Sequence, residues 1–295
     1  MAGVYWDLQR QSRVWFAALG IPALAWIAVF FFGPFLLIVL LSLGWQVEKN
    51  LTEWTWGAQF LARAFEYPFP GIYVQSLTLT VTATLLCLVM AYPLCLLLLH
   101  LGPRRGRWWM LLLMAPFLIN FLVRIYAWFV LLRPEGMIAT GLRGIGWNTS
   151  LISSKEGVLL GFVYGYLPFM MLPLWSVMER LDVRIVEAAQ DLGGSFRSVF
   201  LHIIWPQSLP GVAAGSLLVA VPMLGEYCIP RLLGGGLVPT VGTTIESQFL
   251  AGVQPDWNFG AALAVILLLG IGGILMVLRK SMQRLLELGE RRVDL

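Results

Sequence analysis

Apolar residues in this chain fall in long unbroken runs instead of alternating with polar ones or recurring on one helical face. Six runs stand out, at positions 14–43, 76–101, 108–132, 158–177, 211–229 and 259–278. Each reaches the roughly 20 residues that a helix needs to cross a hydrocarbon layer. A run with no polar side has nothing to turn towards water, so each predicts a helix surrounded by lipid or by other helices. The first run is about twice the length of a signal-peptide core and lacks an A-x-A end, which predicts an uncleaved span. Prolines 22, 34, 93, 116, 168, 173 and 222 lie in or beside the runs. They predict kinked helices whose freed carbonyls find partners in protein or water.

Polar positions give these spans a direction. Thirteen of the twenty Lys and Arg fall on one side of the alternating segments, among them Arg104, Arg105, Arg107, Arg279 and Lys280. Six fall on the other side, and Arg124 lies within a span. Basic residues accumulate on the cytoplasmic side, so both termini are expected there, which requires an even number of spans. Trp45, Trp54, Trp56, Trp147 and Trp257 flank the outer ends, and Trp108 and Trp109 an inner one, as amphipathic indoles favour the headgroup level.

Composition excludes the soluble alternatives. Of 295 residues, 59% are hydrophobic and 12% charged, and the mean hydropathy is +0.79. Soluble domains carry about 25% charged residues, so this chain could not clothe itself in water. The net charge of +4 reflects loop asymmetry and not a nucleic-acid partner. Cys87, Cys95 and Cys228 lie in apolar runs and read as buried thiols. No spacing of Cys and His resembles a metal site.

The segment 179–210 carries charges of both signs and two short amphipathic helices. Its centre reads Glu187-Ala188-Ala189-Gln190-Asp191-Leu192-Gly193, followed nine residues later by Ile203-Ile204-Trp205-Pro206. One helix is expected to end at Gly193–Gly194. The next is expected to start after Ser195 and run towards Pro206. Ile185, Ala188, Ala189 and Leu192 would form one apolar stripe, with two alanines small enough for close approach to a partner.

This segment resembles the EAA loop of permease subunits from binding-protein-dependent ABC importers. Glu187, Ala188, Ala189, Gly193, Ile203 and Pro206 fall in register with that pattern, and Trp205 stands where the family usually has Leu. Arg124-Ile125-Tyr126-Ala127-Trp128, Tyr164-Gly165-Tyr166-Leu167-Pro168 and Gly225-Glu226-Tyr227-Cys228-Ile229-Pro230 narrow the resemblance to the spermidine/putrescine permease branch. It implies an all-α, six-helix type I importer permease (MetI-like) bundle in the bacterial inner membrane. Positions 14–280 would form the bundle, with cytoplasmic tails at 1–13 and 281–295. It implies four kinds of partner: a cytoplasmic ATPase dimer that binds ATP and Mg, a second permease subunit (by preference a different chain), an external solute-binding protein, and the bilayer. The EAA loop would then couple ATPase closure to the bundle. The chain has no G-x-x-x-x-G-K-[ST] loop of its own. It is therefore expected to be a transport subunit, without a bound cofactor.

Ionisable groups within spans are functional candidates. Glu226 and Arg124 both lie about 22–24 Å above the cytoplasmic start of their spans, counted at 1.5 Å per residue. Tyr126, Trp128, Tyr164 and Tyr166 come to a similar depth, beside Tyr227. In one reading Glu226 attracts a cationic solute and the aromatic faces receive its ammonium groups. In the other, Glu226 and Arg124 pair and hold their helices in register. Asn120 could hydrogen-bond across a pore or to a neighbouring helix. A self-sufficient secondary transporter would fit the kinked helices but not the EAA spacing. An intramembrane enzyme lacks any Ser/His or paired-Asp arrangement.

Overall fold

The computed structural model describes residues 20–45, 57–146, 150–250 and 255–293, with the side chains of 103, 183 and 277–293 left aside. The described residues are mostly helical, and five helices are long and apolar enough to cross a membrane. A sixth crossing exists if a pair bent by 81° counts as one. The stretches 1–13, 46–56 and 281–295 of the expected tails and loops lie wholly or largely outside the described residues or side chains. So do Trp54, Trp56 and Trp147.

The chain divides into two compact units. One comprises 1–66 with 247–295, the other 67–246. The first is built on α1 (Gly20–Ser42) and α10 (Trp257–Val293). Asp256 Oδ1 caps α10 by accepting the Phe259 N–H at 3.0 Å, and its other oxygen takes Arg63 Nη1 at 2.8 Å. Asn258 Nδ2 donates to the carbonyls of Leu41 and Trp45, both at 2.8 Å, which ties the end of α1 to the start of α10.

The second unit contains α2 (Phe69–His100), α3 (Pro103–Met114), α4 (Phe121–Leu132), α5 (Lys155–Met178), α6 (Val183–Asp191), α7 (Phe196–Gly225), α8 (Cys228–Leu233) and most of α9 (Val241–Leu250). Its core is the packing of α2 and α7 on α5. Between apolar helices in lipid there is little hydrophobic drive to associate, so close backbone approach and shared hydrogen bonds carry the contact. A Cβ at Gly211 or Gly215 of α7 would lie 2.8–3.2 Å from atoms of Met170, Pro173, Leu174 or Val177. Cys87 and Cys95 of α2, eight residues apart on one face, direct their thiols to the Val163 and Met171 carbonyls of α5, each at 3.8 Å. Tyr92 Oη and Ser208 Oγ meet at 2.7 Å between α2 and α7.

Two spans differ from the sequence expectation. The run 108–132 is not one helix. A tight turn at Ala115–Leu118 around Pro116 is followed by extended Ile119, and Asn120 Oδ1 then accepts the Leu122 N–H at 2.9 Å to start α4 afresh. Asn120 thus caps its own helix and does not reach across to another. The fifth span is shifted towards the N-terminus. Pro206 does not stop the helix begun at Ser195, which continues unbroken to Gly225 instead of running from 211 to 229. A wide π-turn at Phe200–Ile204 lies immediately ahead of the Trp205-Pro206 pair. It gives the proline ring room where an ordinary α-turn would bring it against a carbonyl. The same device precedes Gly33-Pro34 in α1, at Ala28–Phe32.

Candidate functional site

The segment leading into α7 is built by caps. Asp182 Oδ1 accepts the Arg184 N–H at 3.0 Å and opens α6. Gly193, at φ +85°, closes it in the left-handed conformation. The Gly193 N–H bonds the Gln190 carbonyl and the Gly194 N–H the Ala189 carbonyl, each at 2.9 Å, which is the Schellman pattern. Gly194 is required by space instead: a Cβ there would press 2.5 Å from the Ala189 oxygen. Ser195 Oγ then accepts the Ser198 N–H at 3.3 Å and opens α7.

The expected apolar stripe on α6 divides. Ile185, Ala188 and Leu192 are exposed, Leu192 to 90%, and Glu187 is exposed with them. Ala189 and Val186 turn inward and pack against the core, as does half-buried Ile203. Trp205 finds a place that a Leu would fill only in part. Its ring lies 5.4 Å from that of Tyr92 and 6.4 Å from Phe200. Pro206 is exposed.

A second region forms where α7 ends. Glu226 is extended, and the chain turns through Tyr227 into α8. Glu226 Oε1 accepts the Cys228 N–H at 2.8 Å, and Oε2 accepts the buried Tyr166 hydroxyl at 2.8 Å. Neighbouring helices fix this break through glycines. A Cβ at Gly161 of α5 would lie 2.5 Å from Leu233 and 2.7 Å from Ile229 of α8. Gly242 of α9 sits directly against the Glu226 backbone. One turn along α9, Glu246 Oε2 comes 3.7 Å from Arg231 Nη1.

Arg124 does not join Glu226. Its guanidinium carbon lies 4.8 Å from the ring centroid of Phe117, 5.8 Å from Phe121 and 5.9 Å from Tyr164. The Trp128 and Phe117 rings pack on Tyr164 at 5.2 and 5.5 Å. Tyr164 and Tyr166 are two residues apart on α5 and so point about 200° apart around it. Arg124 and Glu226 therefore meet opposite faces of one helix. Of the aromatic residues expected at this depth, Trp128 and Tyr164 gather with Arg124, while Tyr126 and Tyr227 remain 54% and 44% exposed.

Residues 83–289 match the family described as binding-protein-dependent transport system inner membrane component. That match spans the EAA segment, the Glu226 break and the Arg124 cluster. The chain belongs to this family. It is an inner-membrane, multi-pass transport component of the ABC importer permease type. The permease protein PotB of the spermidine/putrescine transport system of Escherichia coli K12 is 33% identical over 260 residues, covering 87% of this chain and 94% of PotB. PotC, another permease protein of that system, is 33% identical over 139 residues, 47% of this chain and 52% of PotC. A bacterial alginate ABC transporter, solved in complex with an alginate pentasaccharide-bound periplasmic protein, shares the fold at a TM-score of 0.68 and 16% identity. It covers 95% of this chain and 97% of its own.

Several residues that build the permease's two intramembrane clusters were invisible to hydropathy and charge. Phe117 and Phe121 lie within an unbroken apolar run, and Gly242 and Glu246 lie outside every apolar run, so neither pair stands out in the sequence. The Pro116–Asn120 pair was the available signal, because a proline followed by a capping residue marks a restart. Among the described residues, no three His, Cys, Asp or Glu side chains gather as a metal site would require.

Proposed function

We propose that this permease forms half of the membrane path for a polyamine, with Glu226 as the group that receives a solute ammonium. The observation that carries the reading is the Glu226 carboxylate, held at a helix break by Tyr166 and the Cys228 amide. A carboxylate so placed is preorganised and half-exposed, and its negative charge favours an alkylammonium over a neutral or anionic solute. Similarity to PotB over most of both chains supports the same solute class.

The exposed stripe of Ile185, Ala188 and Leu192, with Glu187 beside it, fits docking into a partner ATPase that binds ATP and Mg. Ala189, Gly193, Ile203 and Pro206 serve that contact by packing and by shaping the chain. ATP hydrolysis belongs to that partner. The fuller match to PotB than to PotC supports pairing with a different permease chain. An external binding protein would deliver the solute.

The test is uptake of radiolabelled spermidine and putrescine into liposomes holding this chain with its second permease, ATPase and binding protein. ATP-dependent uptake is expected, falling about ten-fold in Glu226→Gln, the loss of one charge-assisted contact. Uptake unchanged in Glu226→Gln would remove Glu226 from the path.

A further inference from the structure

Arg124 lies within a long apolar run, and its surroundings are unusual for an arginine. Phe117, Phe121 and Tyr164 present their rings to the guanidinium at 4.8–5.9 Å, and Trp128 buttresses Tyr164. Nε and Nη1 are buried and have no hydrogen-bond acceptor. A guanidinium ordinarily enters a protein interior with a carboxylate or carbonyl to take its donors. Here ring faces surround a half-buried guanidinium that has no acceptor at either buried nitrogen, and Arg124 stands in the first turns of α4, where the helix dipole disfavours a cation. The rings make a good receptor for positive charge, and the charge now in it is poorly anchored.

Resting on the cationic-solute reading above, we propose that the Phe117–Phe121–Tyr164 cluster is a receptor for a cationic end group of the solute, occupied in this conformation by Arg124 as a tethered competitor. Alkylammonium and guanidinium groups both suit stacked ring faces. Two cations cannot share the box, so Arg124 must withdraw before a solute group enters. The apparent affinity for the solute is then reduced by the fraction of time the box is filled from within. The box meets the opposite face of α5 from Glu226, which makes it a separate receptor and not an extension of the same one.

The experiment uses the complete importer in lipid nanodiscs, with tetramethylammonium as a probe that can bind rings but not donate hydrogen bonds. Thermal stabilisation is measured against probe concentration. Arg124→Met keeps length and apolar bulk while removing the charge, and should lower the half-saturating concentration about five-fold, the scale of one cation–π contact. Adding Tyr164→Leu or Phe117→Leu should abolish that gain. Phe117→Leu alone, with Arg124 intact, should raise the half-saturating concentration, which keeps the test open if Arg124→Met does not assemble. Stabilisation indifferent to Arg124→Met and to both ring changes would overturn the proposal. Spermidine uptake separates the two claims. A wild-type importer that takes up no polyamine while the probe results hold would sink the polyamine reading and leave the box. Polyamine uptake with a probe response blind to all these substitutions would sink the box alone.

Discussion

Gly193 and Gly194 stand side by side at the end of α6 for different reasons. Gly193 needs a backbone conformation that a side chain resists, at a cost of about 1–2 kcal/mol. Gly194 needs empty volume, because the obstacle is the backbone oxygen of Ala189, which cannot turn aside. Gly193→Ala should therefore leave α6 formed but frayed, and Gly194→Ala should displace its last turn. Hydrogen exchange at the amides of 188–194 would rank them, with Gly194→Ala exchanging faster. Equal protection in both variants would contradict this division of roles. The turn was legible in the sequence because its causes are local: two glycines, a serine cap and a stripe ending at Leu192. Which of the two readings holds for Arg124 and Glu226, a pair or two separate sites, was not legible, because counting along a span gives depth and says nothing about direction around the axis. The two-residue step between Tyr164 and Tyr166 already contained that direction, and it separates the two charges.

At the scale of elements, the breaks matter more than the helices. The run 108–132 is apolar from end to end, and hydropathy reads it as one span. The chain instead bends by 81° between Leu118 and Phe121 and lets Asn120 start a new helix. Asn120→Ala removes the side-chain acceptor for the Leu122 amide, an expected loss of about 1 kcal/mol. Limited proteolysis of the purified importer should then open first near 115–124. Cleavage unchanged in site and rate would mean that the bend is held by packing alone. Pro206 shows the opposite error. Proline inside a pattern normally ends a helix, yet α7 passes through it because five residues ahead of it adopt a wider turn. Around that turn Phe200 and Trp205 pack against Tyr92 of α2, a contact that no local pattern reveals.

For the molecule as a whole, most of the fold was legible because lipid allows few solutions. Six apolar runs, a basic bias and a spaced motif were enough to place this chain among importer permeases. Less legible was which surfaces remain for other chains. α1 shows apolar side chains from Ile21 to Leu37, almost all well exposed. Lipid can cover such a face, and so can a second permease. A tagged copy of this chain, purified from the membranes of its native cells, should recover a different permease and an ATPase in stoichiometric amounts. Recovery of a second copy of itself in place of the other permease would argue for a homodimer.

The wide turn at Phe200–Ile204 also acts as an angular setting. One residue more or less in a helix rotates everything beyond it by about 100°. The nine residues separating Gly193 from Ile203 include the surplus that this turn absorbs, so removing one would restore an ordinary helix and swing α6 to a new bearing. Ile185, Ala188 and Leu192 would then face sideways while every side chain in them stayed the same. Spacing in this segment is thus a statement about azimuth, written in the number of residues and not in their kind.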